Sequence, residues 1–305
     1  MIYPPRLHQG DTVGILAPAG PPDSSRLQQG ILFLEKMGLE VRLGEHVNKV
    51  DGYLAGNDRE RLEDFQSMIV DPSIKAIIFA RGGYGTARIA LQLPYSWMKK
   101  QPKIIWGYSD ITYLHTAIRQ RTGLVTFHGP MLSSDIGRDD FDSISAVMFK
   151  QLFQPMTYTY TEQIAPLYVI ANGEATGMLV GGNLSILVST LGTPFEIDTT
   201  NRIVLLEDIG EEPYKVDRML NQLKLSGKLA SAAGIVLGDF AGACPKIVPS
   251  LTLERVFNDY LSDLDIPVLA GFKIGHCMPN IAIPLGTEAK LSTKQKTLKI
   301  QPGVC

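Results

Sequence analysis

The sequence predicts an α/β protein in two parts: an N-terminal open parallel sheet with helices on both faces, and a mixed α+β C-terminal domain. Three observations predict it. Short apolar runs alternate with helix-period segments as far as about residue 130, the pattern of a parallel sheet. Beyond about Asp140, strand-type residues recur without a helix after each one. A length of 305 residues also exceeds what a single core usually serves. The boundaries fall at 1–140 for a nucleophile domain, 141–170 for a linker region and 171–305 for a domain supplying a glutamate and a histidine.

Thr12–Leu16 reads as the first strand, followed by the Pro/Gly turn APAGPP. Arg26–Met37 is a helix with Leu27, Ile31 and Leu34 on its buried side, stopped by Gly38. Leu39–Leu43 is the next strand, and Asp58–Met68 a charged, solvent-facing helix. Lys75–Ala80 is a strand ending in Arg81-Gly82-Gly83-Tyr84-Gly85, with a helix from Thr86 to Leu93. Ile104–Trp106 is a buried strand, interrupted by Gly107 and followed by Ser109, Asp110 and a helix through Arg119. Leu124–Phe127 is a further strand ending in His128-Gly129-Pro130, and a helix lies near Asp142–Leu152.

In the second half, Gly177–Leu179 reads as a strand, Gly181-Gly182-Asn183 as a turn and Leu184–Leu191 as a helix. Arg202–Leu206 is a strand with Glu207 and Asp208 at its end, and Val216–Leu225 is an amphipathic helix. Gly234–Leu237, Pro267–Ala270 and Gly271–Ile274 look like strands, with His276 in the loop after them. Ala289–Ile300 has the alternation of an edge strand pair.

A net charge of −2 supplies no electrostatic reason for a nucleic-acid or anionic-membrane partner. Three cysteines, Cys244, Cys277 and Cys305, form no disulfide framework and fit a reducing compartment. No dense ligand motif supports a metal, and no cofactor fingerprint is complete, so the expected cofactor is none. The N-terminus lacks an apolar signal region, and no apolar run approaches the ~18 residues of a membrane span. The expected setting is the cytoplasm.

The strand–turn–helix around Ser109 lifts a hydroxyl above the sheet and aims the first helical N–H groups at the same spot. A serine nucleophile needs both. Ser109 or Asp110 merely capping the helix is the plainer alternative, and Ile111 stands where G-x-S-x-G has its second glycine. RGGYG lacks the Lys-Ser/Thr of a P-loop, and Arg88 takes the third glycine position of G-x-G-x-x-G. As a source of oxyanion donors it is more attractive: Gly82 or Gly83 supplies one N–H, and Asp110 the other. A tight turn explains one of its glycines more easily than three. Alone, Glu207 reads as a solvated loop acid beside Asp208, Glu211 and Glu212, and His276 as a hydrogen-bonded loop histidine. His8 and His46 sit near surface segments, His115 on the serine helix, and His128 is the main rival base. A serine hydrolase requires base and acid beside its nucleophile, and Ser…Glu…His is one known chain order.

Seven stretches in order, GDTVGILAPAG, RGGYG, GYSDIT, HGPM, GGNLS with LGTPFE, LLEDIGEEPYKVDRML and GHCMPNIAIPLG, resemble the LD-carboxypeptidase family of serine peptidases. That family includes muramoyl-tetrapeptide carboxypeptidases and microcin C self-immunity peptidases. The resemblance implies a Ser-Glu-His triad on Ser109, Glu207 and His276, with the nucleophile on the N-terminal domain and the acid and base on the C-terminal one. It implies a metal-independent serine carboxypeptidase that releases terminal D-alanine from murein tetrapeptides. A murein peptide is then the expected partner, with no nucleic acid or membrane, and a homodimer is the expected assembly. Recognition of a free carboxylate needs a cationic or N–H-rich pocket, for which Arg81 is the candidate. The same-class alternative is a microcin-type peptidase cleaving a peptidyl-nucleotide amide. The alternative of another class is a non-catalytic nucleotide- or ligand-binding module.

Overall fold

A computed structural model describes residues 1–246 and 248–305. Its strands are β1 Thr12–Leu16, β2 Glu40–Leu43, β3 Ile74–Phe79, β4 Ile104–Gly107, β5 Thr126–His128, β6 Tyr158–Tyr160 and β7 Tyr168–Ala171. They continue with β8 Glu174–Asn183, β9 Arg202–Ile209, β10 Gly234–Ala241, β11 Val268–Ala270, β12 Ile283–Leu285, β13 Glu288–Ser292 and β14 Thr297–Ile300. The helices are α1 Ser24–Lys36, α2 Asp58–Val70, α3 Thr86–Ile89, α4 Tyr95–Lys100, α5 Ile111–Thr122, α6 Ser143–Val147, α7 Leu184–Ser189, α8 Pro213–Leu225 and α9 Leu253–Leu261.

The chain divides into two compact units. The first comprises Met1–Met156, Ile281–Gly286 and Pro302–Cys305; the second comprises Thr157–Asn280 and Thr287–Gln301. The change of unit therefore falls at 156/157, inside the stretch read as a linker, and two C-terminal segments return to the first unit. The physical reason is strand pairing: β12 pairs antiparallel with β5, and so closes the first sheet's edge.

The first sheet has the order β12-β5-β4-β3-β1-β2, parallel except for β12. Its central strands β3 and β4 are largely apolar because both faces are covered there; Ile77, Ile78, Ile104, Ile105 and Trp106 are fully buried, whereas the edge strand β2 is mostly exposed. The second sheet, β6-β14-β13-β8-β9-β10-β11-β7, is parallel across β8 to β11 and antiparallel outside them. Its core includes Val204, Leu206, Val216, Leu220 and Leu237.

Several local expectations change. The helix Asp58–Val70 is not simply solvent-facing, because Arg61 and Asp64 are buried along with Phe65, Met68 and Ile69. Gly181, Gly182 and Asn183 are the last residues of the ten-residue strand β8 rather than a turn. Gly181 and Gly182 have φ of 115° and 137°, and a Cβ on Gly181 would collide with the Leu205 backbone at 2.1 Å. Gly271–Ile274 is not a strand. The pair β13–β14 is interior, flanked by β8 and β6.

Candidate active site

In the first unit, β4 ends at Gly107 and α5 begins at Ile111, leaving Tyr108-Ser109-Asp110 as the bend. Ser109 has φ of 65°, a left-handed conformation that costs a non-glycine residue energy. The carbonyls of Tyr108 and Ser109 already accept helical bonds, from Ile111 N at 3.2 Å and Thr112 N at 2.9 Å. No side chain caps this helix. Asp110 instead turns its carboxylate to the amide of Thr86 at 2.9 Å, while the Thr86 hydroxyl donates to the Asp110 carbonyl at 2.8 Å. The capping alternative for Ser109 and Asp110 is thereby overturned.

The three glycines of RGGYG have separate reasons. Gly83 and Gly85 have φ of 117° and 133°. Gly82 is needed for approach: a Cβ there would stand 2.9 Å from Ser109 Cβ and 3.0 Å from Ser109 Oγ. So the glycine backbone lies against the nucleophile candidate. The amides of Gly82, Gly83 and Asp110 make no backbone hydrogen bond among the described residues. Arg81 is exposed and donates through Nη1 to the Pro21 carbonyl at 2.8 Å. A pocket of about 520 Å³ beside it is lined by Gly20, Pro21, Tyr53, Arg81, Gly83 and Tyr84.

In the second unit, Glu207 lies within β9, opposite Asn183 of β8, and is completely buried. It is not a solvated loop acid, and neither Asp208 nor Glu212 is exposed. Glu207 Oε2 lies 2.7 Å from His276 Nδ1, while Oε1 has no hydrogen-bond partner among the described residues. Burial pushes the Glu207 carboxyl above the usual carboxylate range; the His276 hydrogen bond and charge pull the other way. Two glycines make room. A Cβ on Gly275 would fall 2.2 Å from Glu207 Oε2, and Gly275 has φ of 108°; a Cβ on Gly238 would fall 3.0 Å from Glu207 Cβ. Asn280 Oδ1 accepts from the Gly275 amide at 3.1 Å, which steadies the loop that carries His276. A histidine holding its Nδ1 against a carboxylate presents Nε2 as the basic nitrogen.

The other histidines are less suited. His128 is fully buried in β5, its ring 5.6 Å from that of Tyr108. His115 is buried with Nε2 2.7 Å from the Gly107 carbonyl, and burial pushes its pKa down to about 4. His46 pairs with Asp64 at 2.9 Å, but it follows β2, which lies three strands from β4 in the sheet. That is roughly 14 Å away at the usual ~4.8 Å per strand. Sequence reading missed the buried Asp208, which accepts from Asn183 Nδ2 at 3.0 Å and Ser185 N at 2.8 Å and anchors the β8–α7 bend. It also missed Arg61 and Thr86; Thr86 adjoining RGGYG was the available signal.

Comparison with known proteins fits this layout. Residues 13–129 match the LD-carboxypeptidase N-terminal domain, and residues 176–291 match the LD-carboxypeptidase C-terminal domain. The chain belongs to the LD-carboxypeptidase family of serine peptidases, as its motifs predict. It is 55% identical over 302 residues to a probable murein peptide carboxypeptidase of Bacillus subtilis, covering 99% of this chain and 95% of that one. It resembles the structure of MccF in complex with glutamyl sulfamoyl guanosine, with a TM-score of 0.90, 26% identity and coverage of 99% and 98%. It also resembles the muramoyltetrapeptide carboxypeptidase from Oxalobacter formigenes, with a TM-score of 0.84, 31% identity and coverage of 95% and 98%.

Proposed function

We propose that this protein is a serine carboxypeptidase that hydrolyses the L,D-peptide bond of murein tetrapeptides and releases the terminal D-alanine. The observation that carries the mechanism is the buried Glu207–His276 pair, 2.7 Å from oxygen to nitrogen. It is the acid–base half that a strained, unshielded serine requires. The substrate class is supported by the extensive identity to the probable murein peptide carboxypeptidase.

In this reading, His276 Nε2 takes the proton of Ser109 Oγ as that oxygen attacks the scissile carbonyl. The amide of Asp110, with that of Gly82 or Gly83, holds the oxyanion. Glu207 keeps the imidazole in the correct tautomer and stabilises its charged form. Return of the proton expels D-alanine, and water then cleaves the acyl-enzyme. Arg81 faces the free carboxylate of the departing residue. Every group used comes from the chain itself, so no metal is assigned. The three free cysteines accord with a cytoplasmic setting, and a homodimer is the proposed assembly, to be checked by sedimentation.

Ser109→Ala should cost on the order of 10⁴–10⁶ in turnover on a murein tetrapeptide ending in D-alanine. Undiminished trimming would refute the assignment. The likeness to MccF favours one second reading, cleavage of a peptidyl-nucleotide amide. Parallel assays of the tetrapeptide and an aminoacyl sulfamoyl nucleoside separate the two.

A further inference from the structure

The Arg61 guanidinium is buried, on a helix where Arg59 and Glu63 are exposed and Asp58 and Glu60 are half-buried. Nη1 donates to two carbonyls, that of Pro18 in the loop after β1 and that of Gly85 after β3, the latter at 2.9 Å. Nη2 binds Asp58, whose carboxylate also receives Arg88 Nε at 2.8 Å. Arg61 Nε finds no acceptor among the described residues. Burying this cation is costly, and burial lowers its pKa, with the charges of Asp58 and Asp110 opposing. A helix packing on a sheet does not need such a group; an apolar side chain of like volume serves packing as well.

What the guanidinium does is close a ring. It ties Pro18 to Gly85; two residues beyond Pro18, the Gly20 amide donates to the Gly82 carbonyl at 2.9 Å, and Gly82 leads back to Gly85. The Gly82–Gly83 peptide is planar and trans, so its N–H points opposite to its C=O. With the carbonyl of Gly82 directed at Gly20, the Gly83 N–H is directed away from Gly20. Next to Gly85, Thr86 fastens Asp110 by the two bonds already described. A Cβ at Gly85 would meet Arg61 Nη1 at 2.7 Å, so the same position admits only glycine under the guanidinium.

We propose that Arg61 is a positioning residue of the peptidase reaction: together with Thr86 it fixes the amides of Gly83 and Asp110, one on each loop flanking Ser109, as the pair of oxyanion donors. This rests on the serine-peptidase reading above. It also selects Gly83 over Gly82.

The test measures tetrapeptide hydrolysis and the rate of Ser109 labelling by an alkyl fluorophosphonate, whose tetrahedral phosphoryl oxygen needs the same donors. The variants are Arg61→Met, Arg61→Lys and Thr86→Val, each checked for a cooperative melt above the assay temperature. Misaimed donors should cut kcat about 10²-fold in Arg61→Met, with KM within threefold and labelling slowed in parallel. Arg61→Lys keeps the charge but not the two-carbonyl fork, and should recover only part of the loss. Thr86→Val should lose about tenfold in kcat. A purely structural role would lower the melting temperature and leave kcat of the folded protein unchanged; wild-type kcat and labelling in folded Arg61→Met would overturn the proposal. Should Arg61→Met not fold, wild-type kcat and labelling in Thr86→Val would overturn it. If the wild type labels but leaves the tetrapeptide intact, the substrate assignment fails and the labelling rates still decide the role of Arg61. If the wild type does neither, both readings fall.

Discussion

Glu207 stands inside a strand, with one oxygen on His276 and the other unpartnered among the described residues. Its carboxyl is held above the usual carboxylate range, and the proposed mechanism uses it ionised, to orient the imidazole. The acid limb of kcat/KM should therefore lie above that range, and Glu207→Gln should lose about 10⁴ in turnover while keeping its fold. Unfolding of that variant on circular dichroism would make Glu207 structural instead. His115 gives a second pH dependence, on stability. Its pKa falls from 6.5 to about 4 in the folded protein because burial disfavours the cation. Between those values the unfolded chain binds more protons, so stability falls as pH drops from 6.5 to 4, by about 3 kcal/mol in all. His115→Gln keeps a donor for the Gly107 carbonyl and should flatten this part of a urea-denaturation pH series; an unchanged slope would count against it. Of these residues, Ser109 was legible because strand, bend and helix are neighbours in the chain. The burial of Glu207 was not, because Asp208, Glu211 and Glu212 give its segment the composition of a solvated loop.

The Glu207–His276 pair is held by leaving space where a Cβ would be. The loop before His276 depends on Gly275, whose Cβ would fall 2.2 Å from Glu207 Oε2 at φ of 108°. Gly275→Ala should destabilise the protein by about 1–3 kcal/mol through backbone strain. It should also cut kcat at least 10²-fold by displacing the imidazole. Melting curves and steady-state kinetics check both; an intact kcat would mean the loop adapts. At this scale the central strands of both sheets were readable from their apolar runs. The α9 helix went unread, although Val256, Phe257 and Leu261 share a buried face. It follows a proline-containing loop that masks the start of its period. The three residues of β12 are too few to show a period at all, and their partner β5 lies far back in the sequence.

On the scale of the whole molecule, the chain passes between its two units four times, after residues 156, 280, 286 and 301. Neither unit is a continuous fragment. A polypeptide ending at Met156 would lack β12 and leave the β5 edge unpaired, an invitation to self-association. Such a fragment should sediment as oligomers or precipitate, and a well-dispersed NMR spectrum of a 1–156 monomer would refute this. The two-part architecture was visible in composition, but the returning strand was not, since pairing between distant segments leaves no local mark. That return also bears on synthesis. His128 of β5 leaves the ribosome with its neighbour still unmade, because Ile283 of β12 is encoded some 155 residues later. At ~5–20 residues per second, roughly 10–30 s pass before the nascent sheet can acquire its last strand. During that interval the growing polypeptide carries an open hydrogen-bonding edge, the period in which a chaperone would matter most.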